Sequence, residues 1–96
     1  MLTGKKIVLG VSGGIAAYKM ANVASMLSKL HADIHVVMTE NATHFITPET
    51  FEVLTGNHCY TDTFDRCMEL HVPHIALGTQ ADAILIAPAS ADVVGK

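Results

Sequence analysis

Tryptophan is missing from the 96 residues, cysteine occurs twice, and only 16% of positions carry a charge. Cys59 and Cys67 are too few for a disulfide framework and fit a reducing compartment. Basic residues are also short. Six Lys and Arg against nine Asp and Glu, with only Lys5-Lys6 adjacent, give a formal net charge of -3 and argue against a nucleic-acid surface. No apolar run approaches the ~20 residues of a membrane span, and Lys5-Lys6 lead into a β-branched strand, not a signal-peptide core. A cytoplasmic protein with a small-molecule partner, no membrane and no nucleic acid is expected.

Metal-ligand patterns are equally thin. Cys59, Cys67, His71 and His74 invite comparison with a Cys2His2 zinc site, yet the C-x7-C-x3-H-x2-H spacing lacks the close cysteine pair of such sites. Pro73 is expected to keep His71 and His74 off one regular helix face. No metal is expected, and both cysteines read as ordinary thiols.

What remains is a small apolar chain. Half its residues are hydrophobic, enough for one core and a single domain over residues 1–96. The most informative stretch is the start, where Ile7 to Val11 breaks into Ser12-Gly13-Gly14 and then into Ile15-Ala16-Ala17-Tyr18-Lys19. This is a strand, a tight glycine turn and a helix N-terminus, a geometry that aims backbone N–H groups and a positive dipole end at a phosphate.

Three templates test that turn. A Walker A loop needs Lys-Ser or Lys-Thr directly after its last glycine, and Lys19-Met20 lies too far along. The G-x-G-x-x-G spacing of dinucleotide sites does not fit Gly10, Gly13 and Gly14. Gly10-Val11-Ser12-Gly13-Gly14 satisfies the G-x-S-x-G elbow, but a hydrolase takes an oxyanion donor from an earlier strand-to-helix loop, and the residues ahead of this strand hold none. A mononucleotide phosphate cradle is left, with Ser12 as a hydroxyl donor.

Strand and helix patterns alternate along the chain. Met20, Val23, Ala24, Leu27 and Leu30 recur at steps of three and four, giving a helix that runs to about Leu30. Ile34 to Met38 reads as a strand covered on both sides. Thr47-Pro48 predicts a helix start with Thr47 capping, Gly56 its end, and Phe51 and Leu54 its inward face. A short strand over His58 to Thr61, a polar loop from Asp62 to Pro73, and a strand from Ala83 to Ala87 stopped by Pro88 follow, with a new helix near Ser90. With right-handed crossovers this is a doubly wound α/β fold, a Rossmann/flavodoxin-like parallel sheet in its N-terminal portion. It gathers Ser12-Gly13-Gly14, Thr39-Glu40-Asn41 and Pro88-Ala89-Ser90 on one carboxyl edge, which suits a phosphorylated, flat cofactor.

The segments GVSGGIAAYK, VVMTENATHFITPETFEVLTG, HIAL and ADAILIAPASAD, in this order and spacing, resemble the flavin-dependent cysteine decarboxylases, particularly the branch acting on phosphopantothenoylcysteine in coenzyme A biosynthesis. The resemblance covers essentially the whole chain. It implies an FMN-dependent carboxy-lyase whose FMN phosphate falls on Ser12, Gly13, Gly14 and Ile15, with Thr39 and Asn41 adding hydroxyl and amide contacts. The turn after the last strand, which borders the flavin and reads Ser-Ala-Asn-Thr in the family, is here Ser90, Ala91, Asp92 and Val93. Asp92 removes two amide donors and adds a negative charge beside an anionic cofactor, and Val93 deletes a hydroxyl.

The family's essential histidine matches His74, followed by Ile75, while His71 has no motif match. In the implied chemistry the cysteine side of the substrate loses hydride to FMN, the carboxylate leaves, and the enethiolate is reduced again, with no net redox change. A histidine titrating near neutrality can hold the carboxylate and assist proton movement. The resemblance also implies a homo-oligomer, a trimer or a multiple of trimers. The family's substrate-gripping segment and flap cysteine are not found up to Lys96, so the flavoprotein domain reads as incomplete at its C-terminus, and alone is expected to bind FMN weakly without turnover. Two other functions stay open: decarboxylation of a C-terminal peptidyl cysteine, and a non-catalytic FMN-binding or regulatory subunit.

Overall fold

The computed structural model of the chain describes residues 3–13 and 15–87. Four strands, β1 (Lys6–Val11), β2 (Asp33–Thr39), β3 (Cys59–Asp62) and β4 (Ala83–Ala87), form a sheet in the order β3-β2-β1-β4 with every pairing parallel. Between them lie α1 (Ile15–Lys29), α2 (Pro48–Thr55), the single turn α3 (Phe64–Arg66) and α4 (Val72–Thr79). The chain steps outward from β1 to β3 and then crosses back to the far side of β1. Right-handed crossovers therefore leave α1 and α2 on one face and α4 on the other, which is the doubly wound α/β architecture with a Rossmann-type strand order.

Side-chain alternation builds the layers. Ile7, Leu9 and Val11 of β1 and Ile34, Val36 and Met38 of β2 bury against Ala17, Met20, Ala24 and Phe51. Val8 and Val37 point to the opposite face, onto Cys67, Val72 and Ile75. Strands covered on both sides have no room for polar alternation, which is why β1 and β2 read as nearly unbroken apolar runs. Each fully buried large side chain, such as Leu9, Met38 or Phe51, contributes roughly 1.5–3 kcal/mol through burial. No helix among the described residues is long and apolar enough to cross a membrane.

The helix boundaries follow the sequence signals. Pro48 opens α2, and Gly56, at φ 77, closes it by donating its N–H to the Glu52 carbonyl. Thr47 does occupy the cap position, but its hydroxyl pairs with Thr50 Oγ1 at 3.2 Å and caps no backbone N–H. The third strand runs one residue later than expected, from Cys59 to Asp62.

The largest departure lies between Asp62 and Pro73. The expected polar loop is helical: Thr63 caps α3 by accepting the Arg66 N–H, and a π-turn over Cys67–His71 carries the chain into α4. Proline does not break this segment because the π-turn shifts the bonding by one residue. Val72 donates to the Cys67 carbonyl, five residues back, and Pro73 falls in the first turn of α4, where a missing N–H costs little. The same shift lets Cys67, Val72 and Ile75 share one buried face.

Candidate functional site

The parallel register aligns the ends of β1 and β2, with Val11 beside Met38, so the turns that follow them lie side by side. Together with the turn after β3 they enclose an open cleft of about 400 Å³ lined by Ser12, Thr39, Glu40, Asn41, Thr63 and Phe64. Every lining residue follows or ends a strand at its carboxyl end. This is the edge at which open α/β sheets bind ligands.

The glycine turn is shaped from both sides. Gly13 has φ 117, a conformation that side-chain-bearing residues rarely adopt. A Cβ at this position would stand 2.7 Å from Asn41 Nδ2, so the amide of the second turn fills the space that glycine leaves empty. Ser12 and Thr39 are buried beside it, at 3% exposure each, although both carry hydroxyls. Thr39 Oγ1 accepts the Ala42 N–H at 3.3 Å, which pins the second turn. The 15-residue α1 starts beside this turn with no acidic residue in its first turn, and its dipole favours an anion there. Hydroxyls, an amide and the helix end thus converge without a lysine or arginine among the lining residues.

The third wall comes from the segment that sequence reasoning took for a loop. Asp62 Oδ1 accepts the Thr63 N–H at 2.8 Å, and Glu40 donates its N–H to the Asp62 carbonyl at 2.9 Å, so β3 and the second turn are tied together. Asp62 Oδ2 receives both His71 Nε2 at 2.8 Å and Arg66 Nε at 3.1 Å. The His71 hydrogen bond, followed by that of the Thr63 N–H, holds the Asp62 carboxyl down at about 2. Glu40 lies in the expected second turn, whereas Thr63 and Phe64 were not among the expected site residues. Their signal was the Asp62-Thr63 pair, a helix-capping sequence hidden by the proline downstream.

Of the expected positions, Ser12, Gly13, Thr39 and Asn41 come together here. Ile15 begins α1 at the same edge. Gly14, Ser90, Ala91, Asp92 and Val93 lie outside the described residues. His74 stands in the first turn of α4, exposed and outside the cleft lining, whereas the neighbouring Ile75 is buried against the sheet. Of the two histidines, His71 and His74, it is His71 that has the built environment, bonded to Asp62 and 5.9 Å from the ring of Tyr60. Cys59 and Cys67 are free, buried thiols in the two different core layers. Among the described residues no group of three or more His, Cys, Asp or Glu could hold a metal ion.

Comparison with known proteins gives the chain a family and a set of relatives. Residues 1–96 match the family model described as Flavoprotein. The coenzyme A biosynthesis bifunctional protein CoaBC of Haemophilus influenzae is 45% identical over 95 residues, covering 99% of this chain and 24% of that protein. CoaBC of Bacillus subtilis is 43% identical over 96 residues, again 24% of its length. The chain thus spans about a quarter of the curated relatives it matches. Among solved structures, the FMN-dependent cysteine decarboxylase SpaF superposes with a TM-score of 0.66 at 30% identity, covering 93% of this chain and 51% of that one. TvaF, from thioviridamide biosynthesis, gives 0.62 at 21% identity over 90% of this chain and 53% of its own, a likeness of fold.

Proposed function

This chain belongs to the Flavoprotein family, and from that premise we propose that its carboxyl-edge cleft holds FMN in an enzyme that decarboxylates 4'-phosphopantothenoylcysteine to 4'-phosphopantetheine in coenzyme A biosynthesis. The observation that carries the cofactor assignment is the Asn41 amide seated against Gly13 beside the start of α1. A cradle that excludes a Cβ and offers hydroxyl, amide and helix-end donors without a cation fits a phosphate monoester held by neutral donors. The substrate assignment leans on the 45% and 43% identities to CoaBC proteins.

Under this proposal Ser12, Gly13, Gly14 and Ile15 bind the phosphate, and Thr39 and Asn41 orient it and the adjoining chain. Ser90, Ala91, Asp92 and Val93 border the ring system. Bound FMN supplies a two-electron acceptor that is regenerated within one turnover. His74 holds the substrate carboxylate and manages the proton, a role open to an imidazole that can both donate and accept. A homo-oligomer of trimeric type and a cytoplasmic location belong to the same proposal.

A second assignment, decarboxylation of a C-terminal peptidyl cysteine, draws on the likeness to SpaF at 30% identity. One experiment sorts them. The purified protein is equilibrated with FMN, and the bound flavin is read by visible absorbance. Carbon dioxide release is then measured from phosphopantothenoylcysteine and from a peptide ending in cysteine. Release from the first bears out the proposal and overturns the expectation that this chain alone does not turn over, and release from the peptide alone selects the second assignment. Flavin binding with neither release reduces the role to FMN binding, and absence of any binding at saturating FMN overturns the proposal.

A further inference from the structure

One feature of the cleft is not used by the phosphate cradle: the ring of Phe64. The chain has five aromatic residues besides histidine. Phe51 is fully buried in the core, whereas Phe64 is 53% exposed and lines the cleft together with Ser12, Thr39 and Asn41. Phe64 belongs to neither core cluster, so its ring is not held in place by the core.

The backbone beneath it is nonetheless fixed. Asp62 Oδ1 takes the Thr63 N–H at 2.8 Å, the Thr63 hydroxyl accepts the Arg66 N–H at 3.4 Å, and Asp62 Oδ2 is clamped by Arg66 and His71. A solvent-facing aromatic ring mounted on a braced turn is preorganised for a ligand, because little backbone entropy is lost when it is covered. The cleft is therefore two-natured. One wall offers hydroxyl and amide donors to an anion, and the other offers a flat apolar face.

We propose that Phe64 is a stacking platform that selects ligands carrying a flat aromatic ring beyond the phosphate end, and that it sets the preference of this cleft for a flavin over a simple phosphate ester. The inference rests on the FMN reading above and assigns to it a residue outside the glycine turn. Aromatic stacking of this kind strengthens binding by roughly tenfold.

The test uses the absence of tryptophan from the chain. In Phe64→Trp the new indole is the only one, so its emission reports directly on what covers position 64. Addition of FMN should quench that emission in step with occupancy, while inorganic phosphate, which reaches only the cradle, should leave it unchanged. In Phe64→Leu the affinity for FMN should fall about tenfold, and the quenching of flavin fluorescence on binding should weaken, with the urea midpoint unaltered because the ring is not part of the core. Wild-type affinity and quenching in Phe64→Leu, or an indole in Phe64→Trp untouched at FMN saturation, would overturn the stacking role while leaving the flavin site intact. Absence of FMN binding in the wild type would instead remove the flavin reading and this inference with it.

Discussion

Asn41, which lines the cleft, meets Gly13 so closely that only the absence of a side chain on one makes room for the other. Two turns from different strands are thereby interlocked. The positive φ of Gly13 adds a second, independent demand for glycine.

The two demands separate experimentally. Gly13→Ala should cost about 1–2 kcal/mol from backbone strain alone, with further loss from displacement of Asn41. In an Asn41→Ala background the steric part disappears and the strain remains, so the double-mutant cycle should show coupling above about 0.5 kcal/mol. Additive effects in urea unfolding would mean that the two turns are not interlocked. Flavin binding should weaken in both single variants.

Asp62 gives a pH signature. Its folded-state carboxyl lies at about 2, below the ordinary range, chiefly through the His71 hydrogen bond and then the Thr63 N–H. A depressed carboxyl contributes stability that is full above the unfolded value near pH 4 and disappears as pH falls through the folded value near 2. Urea midpoints measured between these limits should therefore drop more steeply for the wild type than for Asp62→Asn. Parallel slopes would contradict the assignment.

The cysteines should be chemically silent. Burial, with Glu52 and Cys67 adding to it, pushes the Cys59 thiol up to about 12, and burial also raises Cys67. Neither should react with a thiol-disulfide reagent in the native protein at about pH 8, and both should react once the chain is unfolded. Fast native labelling of either would show that the sheet opens locally.

The two histidines should divide by phenotype. His74→Asn, at an exposed position, is expected to leave the urea midpoint within about 0.5 kcal/mol of wild type and to abolish any decarboxylation. His71→Asn removes the partner of Asp62 and should flatten the acid dependence described above. Turnover that survives in His74→Asn and vanishes in His71→Asn would transfer the catalytic role.

Much of this architecture is legible in the residues. The runs Ile7 to Val11 and Ile34 to Met38 announce strands buried on both faces, and the Pro48 and Gly56 signals bracket α2 almost to the residue. The half of the cleft made by Ser12, Gly13, Thr39 and Asn41 was visible because turn chemistry is local. The other half was not. Pro73 looks like a break unless the hydrogen bond from Val72 to Cys67 is known, and that bond depends on Val72 and Ile75 finding Val8 and Val37 across the sheet. Tertiary packing chose the π-turn, and with it the wall that carries Thr63 and Phe64.

The extra residue in that π-turn acts as a phase setter. An α-helix advances about 100° per residue, so deleting a single position between Cys67 and His71 would swing the whole of α4 by about that angle relative to α3. Val72 and Ile75 would leave the sheet, and His74 would point in a new direction. The azimuth of His74 around its helix axis is thus written one turn upstream, in the π-turn over Cys67–His71.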